Sequence, residues 1–186
     1  MKYFLNFLLA FLILSILLAP ILIISLMIKL TSKGDIFYYS ERVGKDKQLF
    51  KMPKFRTMKI DTPEVATHLL KNPEIHLTSL GPFLRKYSLD EIPQLLSVLK
   101  GDMNIVGPRP ALFNQYDLID IRESCGVNNI KPGITGWAQI NGRDDLSIKD
   151  KANLDLEYYK KASLSFDIYI IFLTLKKVIF PKNITH

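Results

Sequence analysis

Only one cysteine, Cys125, occurs in the 186 residues of this chain, which excludes an intrachain disulfide and fits a reducing compartment. Histidine is nearly as scarce. His68, His76 and His186 have none of the spacings that hold zinc, so structural or solvated roles are expected for all of these side chains. The sequence has no internal repeats and no low-complexity tracts. Acidic residues fall short of basic ones, 18 against 25, and the net charge is +7. That balance implies an anionic partner, whether nucleic acid, a phosphorylated substrate or an acidic membrane surface, without choosing among them. The length suits one domain and is too short for two full domains beside a membrane segment.

What the chain has in excess is apolar sequence near one end. Hydrophobic residues make up 48% of it and charged residues 23%. Tyr3 to Ile28 carries no charge and is interrupted only by Asn6, Ser15, Pro20 and Ser25. This exceeds the roughly 20 residues a spanning helix needs. It also exceeds the ~7–15 residues of a signal core, and no small-residue cleavage site follows it, so a cleaved signal is not expected. Lys2 stands on one side of the run and Lys29, Lys33, Arg42, Lys45 and Lys47 on the other, which puts the rest of the chain in the cytoplasm. Pro20 removes a helical hydrogen bond deep inside the run. The segment is therefore either a kinked span or a re-entrant helix whose ends emerge on one face. The expected division is a membrane segment over 1–34 and a cytoplasmic body over 35–186.

In the body, Ile36 to Tyr39 and Gln48 to Met52 flank Gly44-Lys45-Asp46-Lys47, which predicts a β-hairpin. Alternation beyond it puts Lys54 and Arg56 on one face and Phe55 and Thr57 on the other. The two cations are either a solvated face or contacts to phosphate or headgroups. Thr62-Pro63-Glu64 opens a helix that Asn72-Pro73 closes. Ala111 to Ser124 reads as a helix ended by Cys125 and Gly126. Pro132 to Arg143 reads as a loop whose glycines let a ligand approach the backbone, with Trp137 in a packing role and Arg143 open between surface charge and site. Asp144, Asp145, Asp150 and Asp155 are expected on solvated helix faces and at caps. Leu164 to Phe180 has no full uncharged span and reads as an interfacial helix or a buried core helix. The fold class is α+β. It is mostly helical, with a small antiparallel β-hairpin, an N-terminal re-entrant or kinked spanning membrane helix, and interfacial amphipathic helices.

The stretch with the most chemistry is Arg85 to Leu96, where Asp90 and Glu91 adjoin. Ser88 and Glu91 have capping-box spacing, and Ile92, Leu95, Leu96 and Leu99 recur on one helical face. Pro93 fits only a first turn, so the cap lies between Ser88 and Asp90. Unpaired N–H groups and the helix dipole there favour an ionised Asp90 and equally a bound phosphate. Gly101 then reads as a C-cap. In Pro108-Arg109-Pro110 an arginine sits on a stiff backbone, able to fork onto an anion at little entropic cost.

Four segments together resemble a known family, the bacterial sugar transferases or monotopic phosphoglycosyl transferases. They are Lys54-Phe-Arg-Thr-Met58, Arg85-Lys-Tyr-Ser-Leu-Asp90-Glu91-Ile-Pro-Gln-Leu, Lys100-Gly-Asp-Met-Asn-Ile-Val-Gly-Pro-Arg-Pro110 and Lys131-Pro-Gly-Ile-Thr-Gly-Trp-Ala-Gln-Ile-Asn-Gly-Arg143. Their order and spacing match, and the likeness covers nearly the whole chain. One departure is Ala19-Pro20, where many members have Ser-Pro.

The resemblance implies a catalytic dyad at Asp90 and Glu91 and a divalent metal, magnesium, at Asp90. It further implies a UDP-sugar donor and polyprenyl phosphate, such as undecaprenyl phosphate, as acceptor. Asp90 would attack the phosphorus bearing the sugar, release UMP and pass the sugar phosphate to the lipid. Arg85, Arg109 and Arg143 match the family's phosphate- and nucleotide-contacting arginines, with Lys54 and Arg56 as further phosphate contacts. Glu91 is left open as metal ligand, base or cap. The lipid bilayer and downstream glycosyl transferases are the expected partners, and nucleic acid is not. The expected location is the cytoplasmic face of the inner membrane, at the start of glycoconjugate or polysaccharide assembly. Two alternatives stand beside this reading: a membrane glycosyl transferase that releases UDP, and a non-catalytic membrane-tethered scaffold that binds anionic ligands.

Overall fold

The computed structural model describes residues 2–63, 72–142 and 146–179. Two apolar helices, α1 (Lys2–Ile16) and α2 (Leu18–Thr31), meet at Leu17 with a 62° bend. Pro20 accounts for the break. It has no N–H for the Ile16 carbonyl, and its ring takes the space that bond would occupy, whereas Leu17 still donates to Ile13 O and Ile21 to Leu17 O, both at 2.9 Å. No single helix among the described residues is long and apolar enough to cross a membrane, but the bent pair together has the length and composition. Both arms are tied to the body. Ala10 of α1 is fully buried, Asn6 Oδ1 accepts the Ile105 N–H at 2.7 Å, and Ile28 of α2 packs with Phe55 and Leu84.

The predicted hairpin is present and longer than expected: β1 (Phe37–Val43) pairs antiparallel with β2 (Leu49–Phe55), with Phe37 opposite Phe55 and Val43 opposite Leu49. Its turn lies at Gly44 to Lys47, where Asp46 and Lys47 take left-handed φ values of 52° and 62°. After β2 come α3 (Gly81–Lys86), a 3₁₀ helix (Leu89–Gln94), α4 (Leu95–Lys100) and β3 (Asn104–Val106). Gly101 caps α4 in the left-handed conformation, φ 88°, as its position predicts. Most of the helix expected between Thr62 and Pro73 lies outside the described residues.

The helix expected from Ala111 begins only at Tyr116 (α5, Tyr116–Ser124). The reason is that the Ala111 carbonyl accepts the Val43 N–H at 3.0 Å and Leu112 bridges Arg42, so the chain stays extended alongside the hairpin. It ends at Cys125 as expected. The glycine-rich loop is a correction: Gly133–Thr135 is a strand, β4, parallel to β3, and α6 (Trp137–Asn141) follows. A Cβ at Gly133 or Gly136 would collide with the main chain of Gly107, so these glycines serve backbone-on-backbone packing inside the protein rather than approach to a ligand. Helices α7 (Ile148–Lys161) and α8 (Leu164–Ile179) close the described chain. On α8, Asp167 and Ile170 are buried, while Leu164, Ile168, Phe172 and Leu175 remain exposed. The fold is α+β and mostly helical, with its main core formed by Met52, Leu95, Val98, Met103, Val106, Tyr158 and Ile170 around the β2–β3 region.

Candidate active site

The capping box predicted for Ser88 and Glu91 does not form. Ser88 takes a left-handed conformation, φ 53° and ψ 24°, with no side-chain cap hydrogen bond. The chain winds next as the 3₁₀ helix that carries Pro93. Glu91 cannot reach back to the Ser88 N–H because its carboxylate is engaged elsewhere. Oε1 accepts Lys54 Nζ at 2.9 Å and Arg109 Nη2 at 2.7 Å, and Oε2 accepts Arg109 Nη1 at 3.4 Å. The tighter 3₁₀ winding also shifts the helical phase, so Leu96 is 42% exposed while Ile92, Leu95 and Leu99 face the core.

Asp90 and Glu91 are thus neighbours in sequence with opposite environments. Asp90 is only 8% exposed, and its side chain makes no hydrogen bond or ion pair among the described residues. Burial raises its carboxyl above the usual range, opposed by Lys54, Arg85 and Arg109 and reinforced by Glu91. The helix terminus therefore does not lower the Asp90 carboxyl as expected, because desolvation outweighs a short 3₁₀ turn. For Glu91, burial also pushes upward, but Arg109 and then Lys54 overcome it and hold the carboxyl well below its ordinary value. Lys54 is itself lowered by burial, with Glu91 opposing.

Of the other expected site residues, Arg85 donates from Nε to Thr57 Oγ1 at 3.0 Å and lies close enough to Asp90 for its charge to act there. Arg56 turns elsewhere, donating to Lys33 O at 3.2 Å with Asp35 at 4.0 Å, beside the end of α2. Lys54 and Arg56 share the less buried face that alternation predicts over residues 54–57, but they diverge to different partners. Arg143, Asp144 and Asp145 lie outside the described residues. Trp137 packs as expected, donating to Glu157 at 2.9 Å and meeting the Phe166 ring at 5.1 Å between centroids. Asp150 takes part in an N-cap with Ser147.

Three site-supporting residues carry no sequence signal of their own. Arg42, on β1, donates to Ser40 Oγ at 2.9 Å and to Pro110 O at 3.2 Å, and burial followed by the charge of Arg109 lowers its guanidinium to about 10. Arg122 and Asp155 form a buried ion pair, so Asp155, expected on a solvated face, is a correction at 1% exposure. No periodicity reveals these pairings, because each joins segments far apart in the chain.

Chemically, an excess of positive charge results: Arg42, Lys54, Arg85 and Arg109 surround two carboxylates, leaving a net positive site of the kind that suits phosphate. Among the described residues no group of three or more His, Cys, Asp or Glu converges. A hard divalent cation would therefore need water and substrate phosphate oxygens to complete its shell, the usual habit of Mg²⁺. The carboxylate of Asp90, without a donor among the described residues, fits such an ion, and that of Glu91, already holding two cations, does not.

The family model for the bacterial sugar transferase matches residues 1–181. The chain is 39% identical over 178 residues to an undecaprenyl-phosphate glucose phosphotransferase of Komagataeibacter xylinus, covering 89% of this chain and 34% of that protein. It is 42% identical over 171 residues to a UDP-glucose:undecaprenyl-phosphate glucose-1-phosphate transferase of Escherichia coli (strain K12), covering 87% and 37%. It is 41% identical over 157 residues to the uncharacterised sugar transferase EpsL of Bacillus subtilis (strain 168), covering 84% and 76%. The chain thus spans about a third of the length of the first two relatives and about three quarters of the third. With a family match over nearly its full length and a carboxylate pair framed by lysine and arginine, the chain belongs to the bacterial sugar transferase family.

Proposed function

We propose that this protein is a phosphoglycosyl transferase that moves a sugar 1-phosphate from a UDP-sugar to polyprenyl phosphate and releases UMP. The observation that carries the reading is the split between the two carboxylates. Asp90 has no side-chain partner among the described residues, while Glu91 holds Lys54 and Arg109 beside it. A nucleophile must have an oxygen to offer, and only Asp90 does. Its carboxylate oxygen attacks the phosphorus that bears the sugar, the bond from that phosphorus to the bridging oxygen breaks, and UMP leaves with the electron pair. An oxygen of polyprenyl phosphate then attacks the same phosphorus, and the Asp90 carboxylate departs. Lys54, Arg85 and Arg109 neutralise charge on the phosphate oxygens, which is most of what phosphoryl transfer asks of a protein. Magnesium, when bound at Asp90 and the diphosphate, would supply further charge neutralisation.

For Glu91 the geometry favours a counter-ion that aims Lys54 and Arg109. A carboxylate held well below its ordinary range is a poor base.

The bent helix pair and the exposed face of α8 support a membrane location. Phe4, Phe11, Leu22, Leu26, Ile168 and Phe172 are among the large apolar side chains left in the open, a surface suited to lipid. The basic residues that follow α2 favour the cytoplasmic face for a catalytic part over 35–186.

The test is incubation of the purified protein in lipid nanodiscs with undecaprenyl phosphate, Mg²⁺ and a panel of UDP-sugars, scoring the nucleotide released. UMP is the expected product. Release of UDP would replace this reading with an ordinary glycosyl transferase, and release of no nucleotide with a binding scaffold. Initiation of polysaccharide assembly follows from the same product, which downstream glycosyl transferases would extend.

A further inference from the structure

Arg109 reaches Glu91 from a segment whose main chain is held at almost every carbonyl. Tyr158 Oη donates to Val106 O at 3.1 Å, the Gly133 N–H to Pro108 O at 2.9 Å, Arg122 Nη1 to Arg109 O at 3.0 Å, Arg42 Nη1 to Pro110 O at 3.2 Å and the Val43 N–H to Ala111 O at 3.0 Å. One of these bonds stands apart. The peptide unit between Arg109 and Pro110 has no N–H, because Pro110 supplies its nitrogen, so the Arg109 carbonyl is the only polar handle by which that plane can be oriented. The prolines on either side fix φ at positions 108 and 110 and confine Arg109 to extended backbone, so what a contact at the Arg109 carbonyl settles is the remaining rotation of that peptide plane.

The group on that handle is a guanidinium only 5% exposed. Its Nε and Nη2 both donate to Asp155 Oδ2, at 3.0 and 2.5 Å, which leaves Nη1 aimed at the carbonyl. A buried ion pair is a weak device for stability, since desolvation offsets much of the attraction. This one is not even arranged for its own satisfaction, because Asp155 Oδ1 is buried without a hydrogen-bond partner among the described residues. What the pair provides that apolar packing could not is a rigid donor at one carbonyl.

We infer that Arg122, aimed by Asp155, is a positioning residue: it fixes the main chain of Arg109 and so places the Arg109 guanidinium against Glu91 and the substrate phosphate. The inference rests on the phosphoryl-transfer reading above. Arg122 acts through the carbonyl of the Arg109–Pro110 peptide plane.

The experiment measures kcat and donor KM for UMP release, with melting temperature alongside, for Arg122→Lys, Asp155→Asn and each of these in an Arg109→Lys background. An ammonium at position 122 keeps the charge pair with Asp155 but lacks the fork that serves carboxylate and carbonyl at once. Arg122→Lys is therefore expected to lower kcat by roughly tenfold to a hundredfold with little change in melting temperature, as a misplaced phosphate-binding group does. In the Arg109→Lys background the same substitution is expected to change kcat by less than about twofold, since the group being positioned is gone. Wild-type kcat in Arg122→Lys, or an equal loss in both backgrounds, would reduce the pair to a merely structural role and overturn the inference. If Arg122→Lys does not fold, Asp155→Asn runs the same cycle, because it keeps an acceptor for Arg122 at a site where burial already disfavours the charged carboxyl. A wild-type protein that releases no UMP from any UDP-sugar would instead remove the functional reading, and the positioning role with it.

Discussion

Asp90 and Glu91 are adjacent in the chain, and their carboxyls are driven in opposite directions, Asp90 up by burial and Glu91 well down by Arg109 and Lys54. Divergent titration of a neighbouring pair assigns separate work to each group. On the proposed reading, Asp90 would keep its oxygens available for a reacting phosphorus while Glu91, still charged, holds Lys54 and Arg109.

Asp90→Asn is expected to abolish UMP release and the covalent sugar-phosphate adduct on the peptide containing residue 90, read by mass spectrometry without acceptor. The same variant is expected to melt higher than wild type at neutral pH. A carboxyl raised by folding contributes stability below its unfolded pKa and loses it as pH rises through the folded value, so at neutral pH ionised Asp90 is a cost that asparagine removes. A lower melting temperature would contradict the desolvation argument even if activity were lost.

Turnover should depend on pH through Asp90. As pH falls through its raised value Asp90, the proposed nucleophile, is protonated, so kcat is expected to drop on an acid limb lying above the ordinary aspartate pKa of about 3.9. Glu91, held low, stays ionised throughout that limb. A pH–rate profile with no acid limb above that value would argue against Asp90 as attacking group.

Glu91→Gln should destabilise the fold by about 1–3 kcal/mol, because Lys54 and Arg109 keep their half-buried positions and lose their counter-charge. Chemical denaturation of Glu91→Gln, Lys54→Met and the double variant checks this, and the double variant should lose less than the two single losses combined. The depressed pKa also gives an acid dependence. The stabilisation is present above the unfolded Glu value of about 4.3 and is lost as pH falls through the lower folded one.

Pro20→Ala should reduce the 62° bend between α1 and α2 by restoring an N–H to the Ile16 carbonyl. Spin labels at Leu12 and Ile23, both exposed, should move apart in double electron–electron resonance as the pair straightens. An unchanged distance would mean that the anchoring of Ala10 and Ile28 in the body, rather than the proline, sets the angle.

Much of the fold was legible because it depends on residues close in the chain. The break near Pro20, the turn at Gly44 to Lys47, the left-handed stop at Gly101 and the end of α5 at Cys125 each follow from one or a few local torsions. The misreadings share a different cause. Ser88 and Glu91 have the spacing of a capping box, but Glu91 meets Arg109 and Lys54, 18 and 37 residues away, and those charge-assisted bonds replace the cap. The glycines at 133 and 136 looked like room for a ligand, and the main chain of Gly107 occupies it. Asp155 looked solvated until α7 laid it against Arg122, 33 residues away.

By itself, then, the sequence determined that two carboxylates stand side by side after a basic pair, that an arginine sits between two prolines, and that an apolar run breaks near its middle. Covalent neighbours and backbone sterics suffice for these. Which carboxylate is spent and which is left available was decided only by the tertiary structure, because it depends on where β2 and the segment after β3 deliver Lys54 and Arg109. Burial, a property of the whole fold, then turned that one difference in partners into opposite shifts at Asp90 and Glu91.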